Sequence, residues 1–187
     1  MIKIPEPKER KLYLADQVDQ KKIAELSSAI IDINESDDEI EQVAKLAGFT
    51  YNRKPIIMYI DSYGGYVYQC LGLLGIMEHS KTPIHTIVTG CAMSCGFLIS
   101  ITGHKRLGYN KSTYMYHQVS TGFHGKVADM EEDVIETKRL QKIIEEHTLR
   151  FTKITRDKLK EVYDKKQDWF LNTHQAVQFG VIDEIIK

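Results

Sequence analysis

The sequence predicts an α/β fold, a sheet of parallel strands covered by helices. Three observations carry this. Short apolar runs of strand length recur at 56–60, 84–89 and 113–117, as in strands buried on both faces. Between them lie longer apolar stretches that read as helices, Val67 to His79, closed by Lys81-Thr82-Pro83, and residues 95–102. Strand and helix alternating in this way pack as a parallel sheet with crossover helices.

Residues 1–11 are polar, carry Pro5 and Pro7, and read as a short mobile arm, leaving 12–187 as a single domain. Leu12-Tyr13-Leu14 reads as a short strand. Ile23, Leu26, Ile30 and Ile33 recur at helical spacing, so 19–33 is expected to be an amphipathic helix. Asn34 to Arg53 opens with Glu35, Asp37, Asp38, Glu39 and Glu41 and contains Gly48. This segment reads as a surface insertion, helical in part, with solvated charges. The strand at 56–60 ends in Asp61-Ser62-Tyr63-Gly64-Gly65, and the strand at 84–89 runs into Gly90-Cys91-Ala92-Met93-Ser94-Cys95-Gly96.

Gly103 to Lys111 reads as a polar connection to the strand at 113–117, and a loop with Gly122 and Gly125 follows. From Val127 to residue 152 the pattern is that of one helix, about twice the usual length. Its apolar positions include Met130, Val134, Leu140, Ile143, Ile144 and Phe151, and its other faces are charged. Much of it is expected to project, with an apolar stripe through Leu140 and Ile144 that calls for another subunit. Thr155 is placed to cap a helix over 156–163, and Asp164 to Asp168 reads as a charged turn. Thr173 is placed to cap a last helix ending at Gly180, before the closing apolar stretch Val181 to Ile186.

The 25 Lys and Arg nearly balance 26 Asp and Glu, which argues against a nucleic-acid or anionic-membrane partner. Cys70, Cys91 and Cys95 lie in apolar segments without metal-ligand spacing, and no metal or organic cofactor is called for. The uncharged stretch from Thr82 to Gly103 is interrupted by Pro83, Gly90 and Gly96, so it reads as strand plus helix rather than a membrane span. Without the apolar core of a signal peptide at residues 1–6, a cytoplasmic protein is expected.

Ser94 stands at a strand-to-helix turn, where its hydroxyl meets a cleft and free N–H groups of the helix start can stabilise an oxyanion. The bland alternative is a serine that caps a buried helix. His117 closes a neighbouring strand, and Gly64-Gly65 follows another. In a parallel sheet all three converge at the carboxyl ends of the strands. Asp157, Asp164, Asp168 and Asp183 all remain open as an orienting carboxylate.

Four stretches carry a family resemblance: Tyr59 to Gly65, Gly90 to Gly96, Tyr114 to Gln118, and the ending from Asp164 through Asp168-Trp169-Phe170-Leu171 to Asp183. Together they resemble the proteolytic subunit of the Clp protease over about residues 12–187. The resemblance implies a crotonase-like α/β spiral with a protruding handle helix at 127–152. It implies Ser94 as nucleophile, His117 as general base, Asp164 as orienting carboxylate, and the N–H groups of Gly65 and Cys95, beside Met93, as oxyanion donors. It further implies extended, unfolded polypeptide as substrate, bound near Gly64, Gly65, Tyr66, Val67 and Met93 and along the loop with Gly122 and Gly125. Stacked heptameric rings around a closed chamber, fed by a Clp-type ATPase, complete the expectation.

The departures from the family pattern are Tyr63 where the turn usually has proline, Cys91 and Cys95 around the serine, a lysine at 126, and an arm shorter than the axial loops. The short arm implies a poorly gated pore. Two other readings stay open, a non-proteolytic ring subunit and a crotonase-type acyl-thioester enzyme.

Overall fold

The computed structural model describes residues 9–122 and 125–187. Its order is β1 (Lys11–Leu14), α1 (Gln20–Leu46), β2 (Ile56–Ser62), α2 (Val67–His79), β3 (Ile84–Met93), α3 (Cys95–Ile101), β4 (Lys105–Tyr109) and β5 (Thr113–Tyr116). Then follow α4 (Val127–Phe151), α5 (Arg156–Asp164), β6 (Trp169–Asn172), α6 (Thr173–Gln178) and β7 (Glu184–Ile186). The α/β class and the parallel sheet are as expected. Strands run in the order β1-β2-β3-β4-β7, all parallel, and β5 joins β3 beyond β4. Only β6 is antiparallel, on β5.

The long strand β3 has two successive neighbours on the same side. His85 to Val88 pair with β4, and Cys91 to Met93 pair with β5. The sheet therefore turns at Thr89 and Gly90, which is what makes a spiral of it. Alternate residues of β2 and β3 (Ile56, Met58, Ile60, Ile84, Val88) are buried, and all seven residues of α3 are too. These chain segments read clearly because one face is buried and the other half-covered, which favours apolar runs.

β4 lies where a polar connection was expected, and β6 follows the turn expected at Asp164 to Asp168, in residues assigned to no element. β4 buries only Gly108, and β6 buries only Leu171, so β4 has no apolar run and that of β6, Trp169-Phe170-Leu171, is only three residues long. Gly108 is a close-approach glycine: a Cβ there would stand 2.0 Å from the Tyr114 hydroxyl oxygen. The Tyr114 side chain is itself fully buried, and its hydroxyl has no partner among the described residues. Asn172, rather than Thr173, caps α6, in a reciprocal capping box with Gln175.

The surface insertion expected from residue 34 is instead the continuation of α1, which runs unbroken from its Asp19 cap to Leu46. Three of its acidic residues, Asp37, Asp38 and Glu41, are paired by groups outside the helix. Asp37 is fully buried and accepts two bonds from Arg10 (2.5 and 2.9 Å), one from Tyr51 (2.7 Å) and one from Thr82 (2.6 Å). Arg53 bridges Asp38 and Glu41, and Lys81 also reaches Asp38. Of the expected arm, residues 1–8 lie outside the described residues, while Arg10 is fixed by Asp37 and by the Lys54 carbonyl.

The α4 helix buries side chains only in its C-terminal half, while nearer its N-terminus Glu136 accepts from the Tyr68 hydroxyl at 2.6 Å. Leu140, Gln141, Ile144, His147 and Thr148 are buried. Leu140 and Ile144 thus face the body of their own chain, correcting their placement on an outward stripe. The uncovered apolar residues are Val127, Met130, Val134 and Ile135, nearer the N-terminus. Among the described residues no helix is long and apolar enough to cross a membrane.

Burial opposes ionisation of Asp37, but its bonds from Arg10, Thr82 and Tyr51 prevail and hold the carboxyl down at about 2. The depressed value makes this ion pair fully stabilising above the ordinary aspartate range, with the contribution lost as pH falls from about 5 to about 2. Asp37→Ala is expected to cost about 3–5 kcal/mol at neutral pH by leaving Arg10 unpaired. Urea denaturation should show that deficit, and it should narrow at acidic pH.

Candidate active site

Ser94 sits between β3 and α3 with φ 53° and ψ −121°, a strained backbone for a residue with a Cβ. Its N–H donates to the Met115 carbonyl at 3.0 Å, and its own carbonyl accepts from Leu98 at 3.2 Å. One bond extends the β3–β5 ladder and the other starts the helix, so both elements hold the turn. The hydroxyl makes no cap to α3, which sets aside the capping role.

Because Met93 is paired with Met115 in parallel register, the residues just past these strands lie side by side. His117 places Nε2 2.8 Å from Ser94 Oγ. Antiparallel pairing brings the third group. Tyr116 is opposite Trp169, so the next residue outward on each strand is His117 on one and Asp168 on the other. Asp168 Oδ1 stands 3.5 Å from His117 Nδ1, close enough for charge interaction and longer than a good hydrogen bond.

Asp164 is not brought to the histidine. It ends α5 and is held by Lys160 at 2.5 Å, one helical turn back. The structure therefore pairs His117 with Asp168, four residues beyond the carboxylate that the resemblance pointed to. The signal missed in the sequence is β6, since only its register singles out Asp168 from the other three aspartates.

The glycine turn after β2 forms the other wall. Gly64 has φ 100°, and a Cβ on it would lie 2.7 Å from the Ser94 Cβ and 2.9 Å from the Cys95 nitrogen. Val18 donates to the Gly64 carbonyl and accepts from Tyr66, both at 2.8 Å, and Ser62 Oγ binds the Asp16 carbonyl at 2.5 Å. These bonds fix the turn without the proline that Tyr63 replaces. Tyr63 itself is exposed.

A cleft of about 170 Å³ opens between these walls, bordered by Gly65, Ser94, Cys95 and His117 and floored by Val67, Leu98, Tyr116 and Ile144. Cys95 is the first residue of α3 and has no carbonyl within the helix to donate to. Tyr66 is exposed at the N-terminus of α2, whereas Met93 and Gly64 lie behind the serine turn rather than in the cleft wall. Gly122 and Gly125 are exposed in the loop after His117. That loop is tied to α4 through Val119, whose N–H donates to Gln141 Oε1 at 2.8 Å. Among the described residues no group of three or more His, Cys, Asp or Glu side chains is placed to hold a metal.

Fold and site together define an α/β protein with a serine–histidine pair at the carboxyl end of a parallel sheet. A profile of the Clp protease family matches residues 7–187. The chain belongs to the Clp protease family. It is 34% identical over 133 residues to the ATP-dependent Clp protease proteolytic subunit of Deinococcus radiodurans, covering 70% of this chain and 64% of that protein. It is 31% identical over 136 residues to the ATP-dependent Clp protease proteolytic subunit 2 of Treponema pallidum, covering 72% of this chain and 67% of that one.

Gly64→Ala tests the packing of the two turns. The positive φ alone should cost about 1–3 kcal/mol, and contact with the serine turn adds to it. A lowered melting temperature is expected, while Gly72→Ala, with open space around it and on helix α2, should be neutral or mildly stabilising.

Proposed function

We propose that this protein is a serine endopeptidase that cleaves unfolded polypeptide. The observation that carries this reading is the Ser94 hydroxyl, held on a strained turn 2.8 Å from His117 Nε2. A free serine hydroxyl is a weak nucleophile, so it needs a base at this distance. With a proton on Nδ1 facing Asp168, His117 Nε2 accepts the serine proton as Oγ attacks the scissile carbonyl. It then donates that proton to the departing amine. Asp168 holds the ring in this tautomer and stabilises the imidazolium. Water enters by the same route in reverse to release the acyl group.

The N–H groups of Gly65 and Cys95 are our oxyanion donors, each on the cleft wall beside Ser94. One such donor is worth about 3 kcal/mol of barrier. Extended substrate backbone would lie along the chain from Gly65 to Val67 and along the loop after His117, with a side chain in the apolar cleft. Substrate must be unfolded to adopt that form. The printed names of both relatives, ATP-dependent Clp protease proteolytic subunits, support pairing with an ATPase that delivers such chains.

Assembly belongs to the same proposal. Val127, Met130, Val134 and Ile135 form an uncovered apolar face on the free half of α4, and we assign it to contact between subunits of facing rings. Ile135→Asp is expected to split the particle in sedimentation velocity without unfolding it. An unchanged particle would remove α4 from the interface.

A fluorophosphonate probe should label Ser94, and Ser94→Ala should abolish both labelling and hydrolysis of a fluorogenic peptide. Asp168→Asn should lower turnover by about a hundredfold or more, whereas Asp164→Asn should stay within a fewfold of the native protein. The reverse order would show that the carboxylate is Asp164 and that the loop between them rearranges in the working enzyme. An unlabelled protein without activity would defeat the peptidase reading.

A further inference from the structure

Two thiols stand directly behind the proposed oxyanion wall, and the mechanism uses neither. Cys95 lines the cleft, and its Sγ donates to the Gly65 carbonyl at 3.3 Å. Cys70 of α2 is fully buried, and its Sγ donates to the Cys95 carbonyl at 3.6 Å. The Cys70 thiol thus packs directly against Cys95, and each thiol perturbs the ionisation of the other. Between them they touch the carbonyls of both residues proposed as oxyanion donors. Both thiols are free, as is Cys91, which stands apart on β3.

We propose that Cys70 and Cys95 are an oxidant-sensitive dithiol, and that their disulfide switches the peptidase site off. This rests on the serine-peptidase reading. The chemistry needs a hydroperoxide as oxidant. Cys95 sulfur, the nearer of the two to the cleft, attacks the peroxide O–O bond, giving a sulfenic acid and releasing water. Cys70 sulfur then displaces the hydroxyl from Cys95 as a second water. Overall, two thiols and one hydrogen peroxide give one disulfide and two waters, and a dithiol reductant reverses it.

The order of events follows from the environments. Contact with Cys70 holds the Cys95 thiol below the ordinary thiol range, so it is the better thiolate. Contact with Cys95 and complete burial hold Cys70 well above that range, which suits a resolving partner that reacts second. Burial pushes Cys91 up to about 11, with help from Asp61, and leaves it unreactive. Joining the sulfurs takes Cys95 Sγ off the Gly65 carbonyl and pulls the first turn of α3 toward α2. The two oxyanion donors are then no longer aimed at one point.

The test treats the native protein with hydrogen peroxide, then alkylates it under denaturing conditions for peptide mass analysis. A peptide pair linked through Cys70 and Cys95 is expected, with hydrolysis of a fluorogenic peptide down by about a hundredfold, as for a lost oxyanion donor. Dithiothreitol should restore both. Cys70→Ala and Cys70→Ser should keep basal activity, which reports their folding, and lose the dithiothreitol-reversible inhibition. The proposal is overturned if the linked pair is absent, if Cys91 is the partner, or if turnover is undiminished once the link has formed. An inactive reduced protein whose Ser94 resists a fluorophosphonate probe refutes the peptidase reading instead, and is told apart because the thiol link is scored by mass.

Discussion

Everything at the site depends on the change of partner along β3. A strand that kept β4 beside it to the end would leave Ser94 facing the wrong neighbour. By releasing β4 after Val88 and taking β5 from Cys91, the strand brings a second carboxyl end level with its own. Parallel register then sets Ser94 next to the segment that leads to His117, and the antiparallel β6 adds Asp168 from the far side. Three side chains separated by dozens of residues are thus placed by backbone hydrogen bonds, which are far more directional than contacts between side chains.

Such placement has to withstand strain. The conformation of Ser94 costs on the order of 1–3 kcal/mol. It persists because the residue is held from both ends, by the Met115 carbonyl and by the fully buried α3. Gly64 closes over it at a distance that admits no side chain. The same packing that stores the strain excludes the relaxed alternatives, so the fold itself sets the contact between Ser94 and His117.

How much of this was legible in the sequence depended on where each signal came from. Strands β2, β3 and β5 announced themselves because one buried and one half-covered face favour Ile, Val, Met and Tyr. Ser94 and His117 were visible because each closes such a run. Strands β4 and β6 are only five and four residues long and bury one residue each, too little pattern to separate them from loops. Losing β6 meant losing Asp168, whose role is decided by a partner fifty residues earlier in the chain. The resemblance marked Asp164 instead, on motif position alone. The acidic half of α1 was misread for a related reason: Asp37 is neutralised by Arg10, Tyr51 and Thr82, and none of these lies within its own helical window. Periodicity reports burial within one element and is silent on charge compensation between elements.

One contact in the second layer constrains how this chain can vary. The Tyr114 hydroxyl occupies the space where residue 108 would carry its first side-chain atom. Tyr114 lies on β5, three positions before His117, and Gly108 lies on β4, so the pair spans the gap at which β3 exchanges its neighbours. Neither residue can change alone. A larger residue at 108 would push β5 and the histidine outward, and a smaller one at 114 would leave a void behind the catalytic strand. Mutational drift at these two positions is therefore locked together.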